Sequence, residues 1–464
     1  MYHVEFHENC GVAGVIAPKD KNAAIIAVKL GAELQHRGQE GGGIAVKKLD
    51  GDFRILRSGK RFGLAFPSNY VLKHHDLEGE IALAHTRYRT TGPANNELYS
   101  QPMMVRFNER ILVGGHNGNI ANAEDLLEEL HSRGIFLTTE NITDSRGSRS
   151  PVSDSEVLFN RILTSPGTNW PERISRALEE VEGAFSLTLA TDHNELIALR
   201  DPWGIRPLSF GRLNGHWIIS SETSVLDKLG VVDQTEVDKG QMWVFRAGKE
   251  PNPIVYDNTK PRKYCDFEDW YFSWPSSRRR DVEVELIRET AGIQMAKEEG
   301  RHRQQIAADL VTCVPDTGRS SAIPFAESLG IPYRERIFKE RYDDKGIRSF
   351  IGSSDLLRVN ILEDKYLLSG SLKGQVIYIV DDTAVRFTTM RILIHALKYR
   401  AGVKEVHLRF SAPKFLRPCV LGVNINKREE LGAVEFKNGA WREKPDKQIA
   451  EEINADSVAF LSMN

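Results

Sequence analysis

Cysteine is scarce: Cys10, Cys265, Cys313 and Cys419 are the 4 in 464 residues, and they lie far apart. So sparse a set excludes the disulfide framework of a small secreted domain. Long apolar runs are missing too, and none approaches the ~20 residues that cross a bilayer. The start, MYHVEFHEN, has neither a basic stretch nor an apolar core, which argues against a secretory signal. Charge of one sign is not in excess: 62 Lys and Arg against 64 Asp and Glu give a formal net charge of −2. That balance gives no support for a nucleic-acid-binding surface. Internal repeats and low-complexity tracts are absent. What is there is ordinary globular composition, 41% hydrophobic and 27% charged, on a chain long enough for two or three domains of about 100–200 residues. The expectation is a soluble, cytoplasmic protein with no membrane partner.

The rhythm of the chain changes once. The first half carries short apolar runs between Gly-rich turns, among them CGVAGVIA, GGGIAVKK, GEIALAHTRY, RILVGGHNGNI and AFSLTLATD. Helical patterns lie between them, as at Ala123 to Ser132 and Glu156 to Leu163. Stacked sheets flanked by helices follow. In the second half, QIAADLVTCVPD, GQVIYIVDD and KEVHLRFSA are near-continuous apolar strands, each tied to a helical segment. That alternation predicts a parallel sheet with crossover helices. The change falls in the polar, Pro-containing stretch 247–264, which is the expected boundary.

Cys10, followed at once by Gly11 and an apolar strand, reads on its own as a small buried residue. Its company suggests more. HRGQEGGG, HTRYRTTG, GGHNGNIAN and SDSE place polar residues at Gly-rich strand ends, where free backbone N–H groups suit an oxyanion. Arg87 suits a carboxylate and Asp154 an ammonium, so the ligand class is an amino acid. Three histidines here, His36, His85 and His116, fit no zinc spacing and read as structural.

These motifs resemble the class II glutamine amidotransferase half of the amidophosphoribosyltransferase family. RDPWGIRPL, SSETSVLD, VPDTG, KERY and VDDTAVRFTT are similar to that family's motifs in the same order along nearly the whole chain. The resemblance implies an N-terminal nucleophile hydrolase, an α+β four-layer sandwich, followed by an α/β type I phosphoribosyltransferase domain. It implies residues 1–9 as a propeptide, 10–246 as the amidotransferase domain and 265–464 as the phosphoribosyltransferase-like domain. Cys10 would be the nucleophile, with Asn117 and Gly118 as oxyanion hole. Arg87, Asp154, His36 and Arg37 would bind glutamine. Asp381, Asp382, Arg386, Thr388 and Thr389 would hold phosphoribosyl pyrophosphate (PRPP), the two acids also holding Mg²⁺. A homo-oligomer is implied as well.

Four departures from the family's pattern stand out. Residues around 142–152 form an insertion next to Asp154, read as a surface loop. Phe387 replaces the glycine of the family's phosphate loop, and a large side chain that disfavours positive φ should block or reshape the cradle. If it closes the loop, Phe387→Gly should improve PRPP affinity. After KERY the chain loses a basic segment and gains Asp343 and Asp344 where a polyanion enters. Cys265 and Cys419 match two ligands of the iron–sulfur cluster found in some members, but the C-terminal pair is missing, so no cluster is expected. Two readings therefore stay open. In one, ammonia from glutamine reaches PRPP; in the other, the second half serves a different acceptor, a partner protein, or sensing alone.

Overall fold

The computed structural model describes residues 10–18, 22–70, 77–88, 96–143, 148, 150–302, 306–339, 366–423, 425 and 427–462. The expected propeptide, residues 144–147 and 149 of the insertion, and the segment holding Asp343 and Asp344 lie outside the described residues.

In the first half, β-branched and aromatic runs form two antiparallel sheets. One has seven strands in the order Val232–Glu236, Ser209–Leu213, His216–Ser220, Gly11–Ile16, Gly79–Thr86, Gly42–Lys48, Phe53–Ser58. The other has six, in the order Pro253–Val255, Gln241–Phe245, Leu196–Arg200, Gly183–Thr191, Arg110–Ile120, Met103–Phe107. Their inner faces share one apolar layer that includes Val12, Leu83, Val113, Leu196, Phe210 and Phe245. Both faces of each sheet are covered, so these strands read as continuous apolar runs rather than alternating ones. Helix Ala24–Glu33 covers the outer face of the first sheet through Ala24, Ala27 and Val28. Helices Asp154–Thr164 and Trp170–Leu178 cover the second through Leu158, Phe159, Ile162 and Ile174. The result is helix, sheet, sheet, helix: the four-layer sandwich that the motifs imply. The polar stretch 247–264 contributes to it, because Pro253–Val255 adds an edge strand beside Gln241–Phe245.

The second half is a parallel sheet in the order Leu310–Cys313, Val376–Asp381, Glu405–Phe410, Ser457–Phe460. Helices Val284–His302 and Arg319–Leu329 pack on one face around Phe325 and Tyr378. Helices Thr388–His395 and Asp446–Ile453 pack on the other through Met390, Leu393 and Ile449. After Leu310–Cys313 the chain first pairs on one side, at Val311 with Tyr333, and only then supplies Val376–Asp381 on the other. This reversal opens a crevice at the C-terminal strand ends, the usual ligand position in open α/β sheets.

Candidate active site

Cys10 immediately precedes Gly11–Ile16 at the end where Gly11 pairs with Thr86. That register brings the thiol beside the residues following Thr86. The Sγ donates to the Tyr88 carbonyl at 3.3 Å and accepts from the Tyr88 N–H at 3.3 Å. Burial dominates its acidity and pushes the thiol up to about 11. It borders a small cavity of about 20 Å³ shared with Arg87, Tyr88, His116, Gly118 and Asp154. That is room for about one water, so an amino acid requires the pocket to widen.

Gly118 has φ +150°, and a Cβ there would stand 2.0 Å from the Ala184 carbonyl oxygen, so only glycine fits. Its neighbour Asn117 is fully buried, yet neither its Oδ1 nor its Nδ2 has a hydrogen-bond partner among the described residues. A buried amide left unpaired costs about 1–3 kcal/mol. Asp154 opens helix Asp154–Thr164; its Oδ2 accepts from the Ile120 N–H at 3.2 Å and its Oδ1 from the Ser155 N–H at 2.8 Å. Arg87 is buried with its guanidinium 5.5 Å from the centre of the Tyr99 ring.

The histidines divide. Burial lowers His85 to about 3 and also lowers His116, so both are neutral at pH 7. His85 Nε2 donates to the His116 carbonyl at 3.0 Å, and His116 Nδ1 meets Ser155 Oγ at 2.8 Å. These are roles in holding strands, and no cluster of three or more His, Cys, Asp or Glu suited to a metal occurs among the described residues. His36 and Arg37 lie outside the small cavity. His36 Nε2 is 3.0 Å from Glu222 Oε1, and its ring borders the second half's crevice. Arg37 is fully buried between Glu222 and Glu268, and its Nε donates to the Cys10 carbonyl at 3.2 Å. The HRG motif carries no local record of these partners; the tertiary structure places Arg37 against two carboxylates and away from the small cavity.

The crevice of the second half is a cavity of about 740 Å³, within the range of small-molecule sites. Asp381, Asp382, Arg386, Thr388 and Thr389 all line it, with Pro315–Thr317 from the neighbouring strand end. Tyr271 and Trp274 close it from the side of the first half. Asp382 is buried, its Oδ1 accepting from Thr383 Oγ1 at 2.9 Å, and burial pushes the carboxyl up. Its Oδ2 has no hydrogen-bond partner among the described residues. Arg386 pairs with Glu430 at 2.6 Å. Sequence reasoning missed Arg288, a buried cation on this cavity whose Nε donates to the Asp269 carbonyl at 3.0 Å. One arginine in a helix carries no signal of such a position.

Phe387 corrects an expectation. It takes φ +58° as the residue capping helix Thr388–His395, so it adopts the conformation a glycine would supply. The residue borders the crevice beside Arg386 and Thr388, but its ring turns toward the core. It packs in the domain core, with centroids 6.0 Å from Phe410 and 6.1 Å from Phe460. Space for it exists because residue 432 is glycine: a Cβ there would stand 2.2 Å from Phe387 Cδ2. The left-handed backbone costs about 1–2 kcal/mol, which burial of the ring, at about 1.5–3 kcal/mol, offsets. The expected gain in PRPP affinity for Phe387→Gly loses its basis.

Cys265 and Cys419 share an apolar cluster with Phe267, Phe272 and Val423, and burial pushes the Cys265 thiol up to about 12. All four cysteines are free thiols.

A sandwich of this kind with a cysteine at the head of its central strand, joined to a parallel-sheet domain with two acids above a helix N-terminus, defines a two-domain glutamine amidotransferase. A glutamine amidotransferase domain family matches residues 85–228. The curated amidophosphoribosyltransferase of Synechocystis sp. is 35% identical over 98% of this chain and 86% of its own length. That of Bacillus subtilis is 32% identical over 98% of this chain and 88% of its own. A solved structure, the B. subtilis glutamine PRPP amidotransferase complexed with ADP and GMP, matches with TM-score 0.81 and 31% identity. It covers 98% of this chain and 91% of that one. The chain belongs to the amidophosphoribosyltransferase family, and it is an enzyme.

Proposed function

We propose that this chain hydrolyses glutamine at Cys10 and passes the ammonia to C1 of PRPP, giving 5-phosphoribosylamine, glutamate and pyrophosphate. The observation that carries the reading is the convergence of the Cys10 thiol, Gly118, Arg87 and Asp154 on one buried cavity. Removal of residues 1–9 would free the Cys10 amino group, whose ordinary pKa of about 7.7–8.0 lets it take the thiol proton at neutral pH. The thiolate then attacks the side-chain amide carbon of glutamine. The amide nitrogen leaves as ammonia, and water hydrolyses the glutamyl thioester. Asn117 Nδ2 and the Gly118 N–H would meet the oxyanion. Arg87 would hold the glutamine carboxylate and Asp154 its ammonium.

In the second half, Thr388 and Thr389 begin a helix, and the N–H groups there suit the 5′-phosphate. Asp381 and Asp382 suit the ribose hydroxyls. The unpaired, buried Asp382 Oδ2 fits a Mg²⁺ ligand; bound there, Mg²⁺ would neutralise pyrophosphate charge. Among the described residues no helix is long and apolar enough to cross a membrane, and with four free thiols this favours a cytoplasmic setting. Calorimetric titration with PRPP and Mg²⁺, with glutamate release followed in parallel, tests the reading. Micromolar binding with stimulated release is expected. No PRPP binding with glutamine hydrolysis retained would overturn the acceptor assignment.

A further inference from the structure

Glu268 touches neither cavity, yet it stands between both. It is fully buried, and two guanidiniums converge on it: Arg37 Nη2 at 2.9 Å from each carboxylate oxygen, and Arg206 Nη1 at 3.0 Å from Oε1. Arg37 Nη1 also pairs with Glu222 Oε1 at 2.6 Å, and each arginine has one further donor that ties Glu268 to the surroundings of the thiol. Arg37 Nε donates to the Cys10 carbonyl at 3.2 Å. Arg206 Nη2 donates to the Leu421 carbonyl, in a loop of the second half that lies on the oxyanion strand. There Asn119 Nδ2 donates to the Val420 carbonyl at 3.0 Å. Gly422 presses so close that a Cβ would stand 3.1 Å from Asn119 Cβ and 3.2 Å from the Gly118 carbonyl carbon. One carboxylate thus anchors the backbone of the nucleophile and the loop behind Gly118. It also begins the turn Glu268–Phe272, and the residues after it, Tyr271 to Trp274, wall the larger cavity.

We propose that Glu268, a residue of the second half, is a positioning residue for the thiol site, fixing the Cys10 carbonyl through Arg37 and the backing of the oxyanion strand through Arg206. The assignment rests on the reading of Cys10 as the glutamine-hydrolysing nucleophile. Neither arginine lines the small cavity, so loosening them misplaces reacting groups without removing a contact to glutamine. Misplacement of about 1 Å can cost about 10²-fold in rate, and partial loosening costs less.

The test compares the full chain with Glu268→Gln, measuring kcat and KM for glutamine hydrolysis and, separately, the rate with free ammonia. The expected result is a loss of roughly tenfold in kcat with KM within about twofold and ammonia-dependent turnover unchanged. An unchanged kcat would overturn the assignment, as would a fall in the ammonia-dependent rate parallel to the glutamine-dependent one. Should Glu268→Gln not fold, Arg37→Lys keeps the charge between Glu222 and Glu268 but gives up the Nε donor to Cys10. The same split in kcat against KM is then expected, and a wild-type kcat would overturn it. Absence of glutamine hydrolysis in the unmodified chain is a different failure, that of Cys10 as nucleophile.

Discussion

At Cys10 the chemistry turns on one proton. With residues 1–9 attached, burial holds the thiol near 11, so a thiolate is rare at pH 7 and no free amine stands beside it. Cleaved chain should therefore gain glutaminase activity with pH up to about 8, following the amino group. A pH profile of kcat/KM checks this; a rise centred near 11 would mean that the thiol titrates unaided. Cys10→Ala should abolish glutamine hydrolysis and leave ammonia-dependent turnover in place. Retained glutamate release would refute the nucleophile. Asn117→Ala, which would remove the proposed oxyanion donor, should lower kcat by about 10²–10³. Steady-state kinetics decide it, and a loss confined to KM would assign Asn117 to binding instead.

At the scale of elements, the loop Thr383–Phe387 and the segment around Gly432 form a matched pair. Phe387 adopts a left-handed backbone, and Gly432 vacates the space its ring takes. Phe387→Gly relieves backbone strain but empties a core site, and deleting a buried phenylalanine side chain costs about 3–5 kcal/mol. The variant should be less stable by denaturant titration, with PRPP affinity not improved. Gly432→Val should destabilise as well, because its side chain meets the ring and the Val385 carbonyl, which the Gly432 N–H now bonds at 2.6 Å. Tighter PRPP binding by Phe387→Gly would show that the ring does restrict the cradle.

Across the whole molecule, the two halves are joined by buried charge. Burial opposes ionisation of Glu268, but Arg37 and Arg206 prevail and hold its carboxyl at about 2. Burial likewise opposes Glu222, and His36 and Arg37 hold it well below the usual carboxylate range. A carboxyl lowered on folding stabilises the fold above its unfolded pKa of about 4.3 and loses that contribution as pH falls toward the folded value. Stability should therefore drop between about pH 4.5 and 2. Glu268 alone should account for about 2 kcal/mol of that by pH 3. Urea unfolding at pH 6 and pH 3 measures it. Glu268→Gln should start lower, since breaking a buried pair costs about 3–5 kcal/mol, and should lose less on acidification. Parallel losses in both proteins would place the acid sensitivity elsewhere.

The sequence by itself determined the two sheet systems and the order of chemistry along them. Apolar runs such as AFSLTLATD and VIYIVDD can only be buried strands, and CGVAGVI, HNGNIAN, SDSE and VDDTAVRFTT are local in the chain, so their spacing carries their meaning. Contacts across the fold have no such local record. The ring of Phe387 was readable as large and its φ as strained, but the glycine that receives it lies 45 positions on. Arg37 sits in a motif beside Gly-rich turns, where the family resemblance implies a glutamine ligand. Only tertiary structure shows it facing Glu222 and Glu268, the latter 231 residues away. Glu268 carries no motif at all. Its importance comes from burial, which makes one carboxylate decisive for two guanidiniums, and burial is a property of the folded chain.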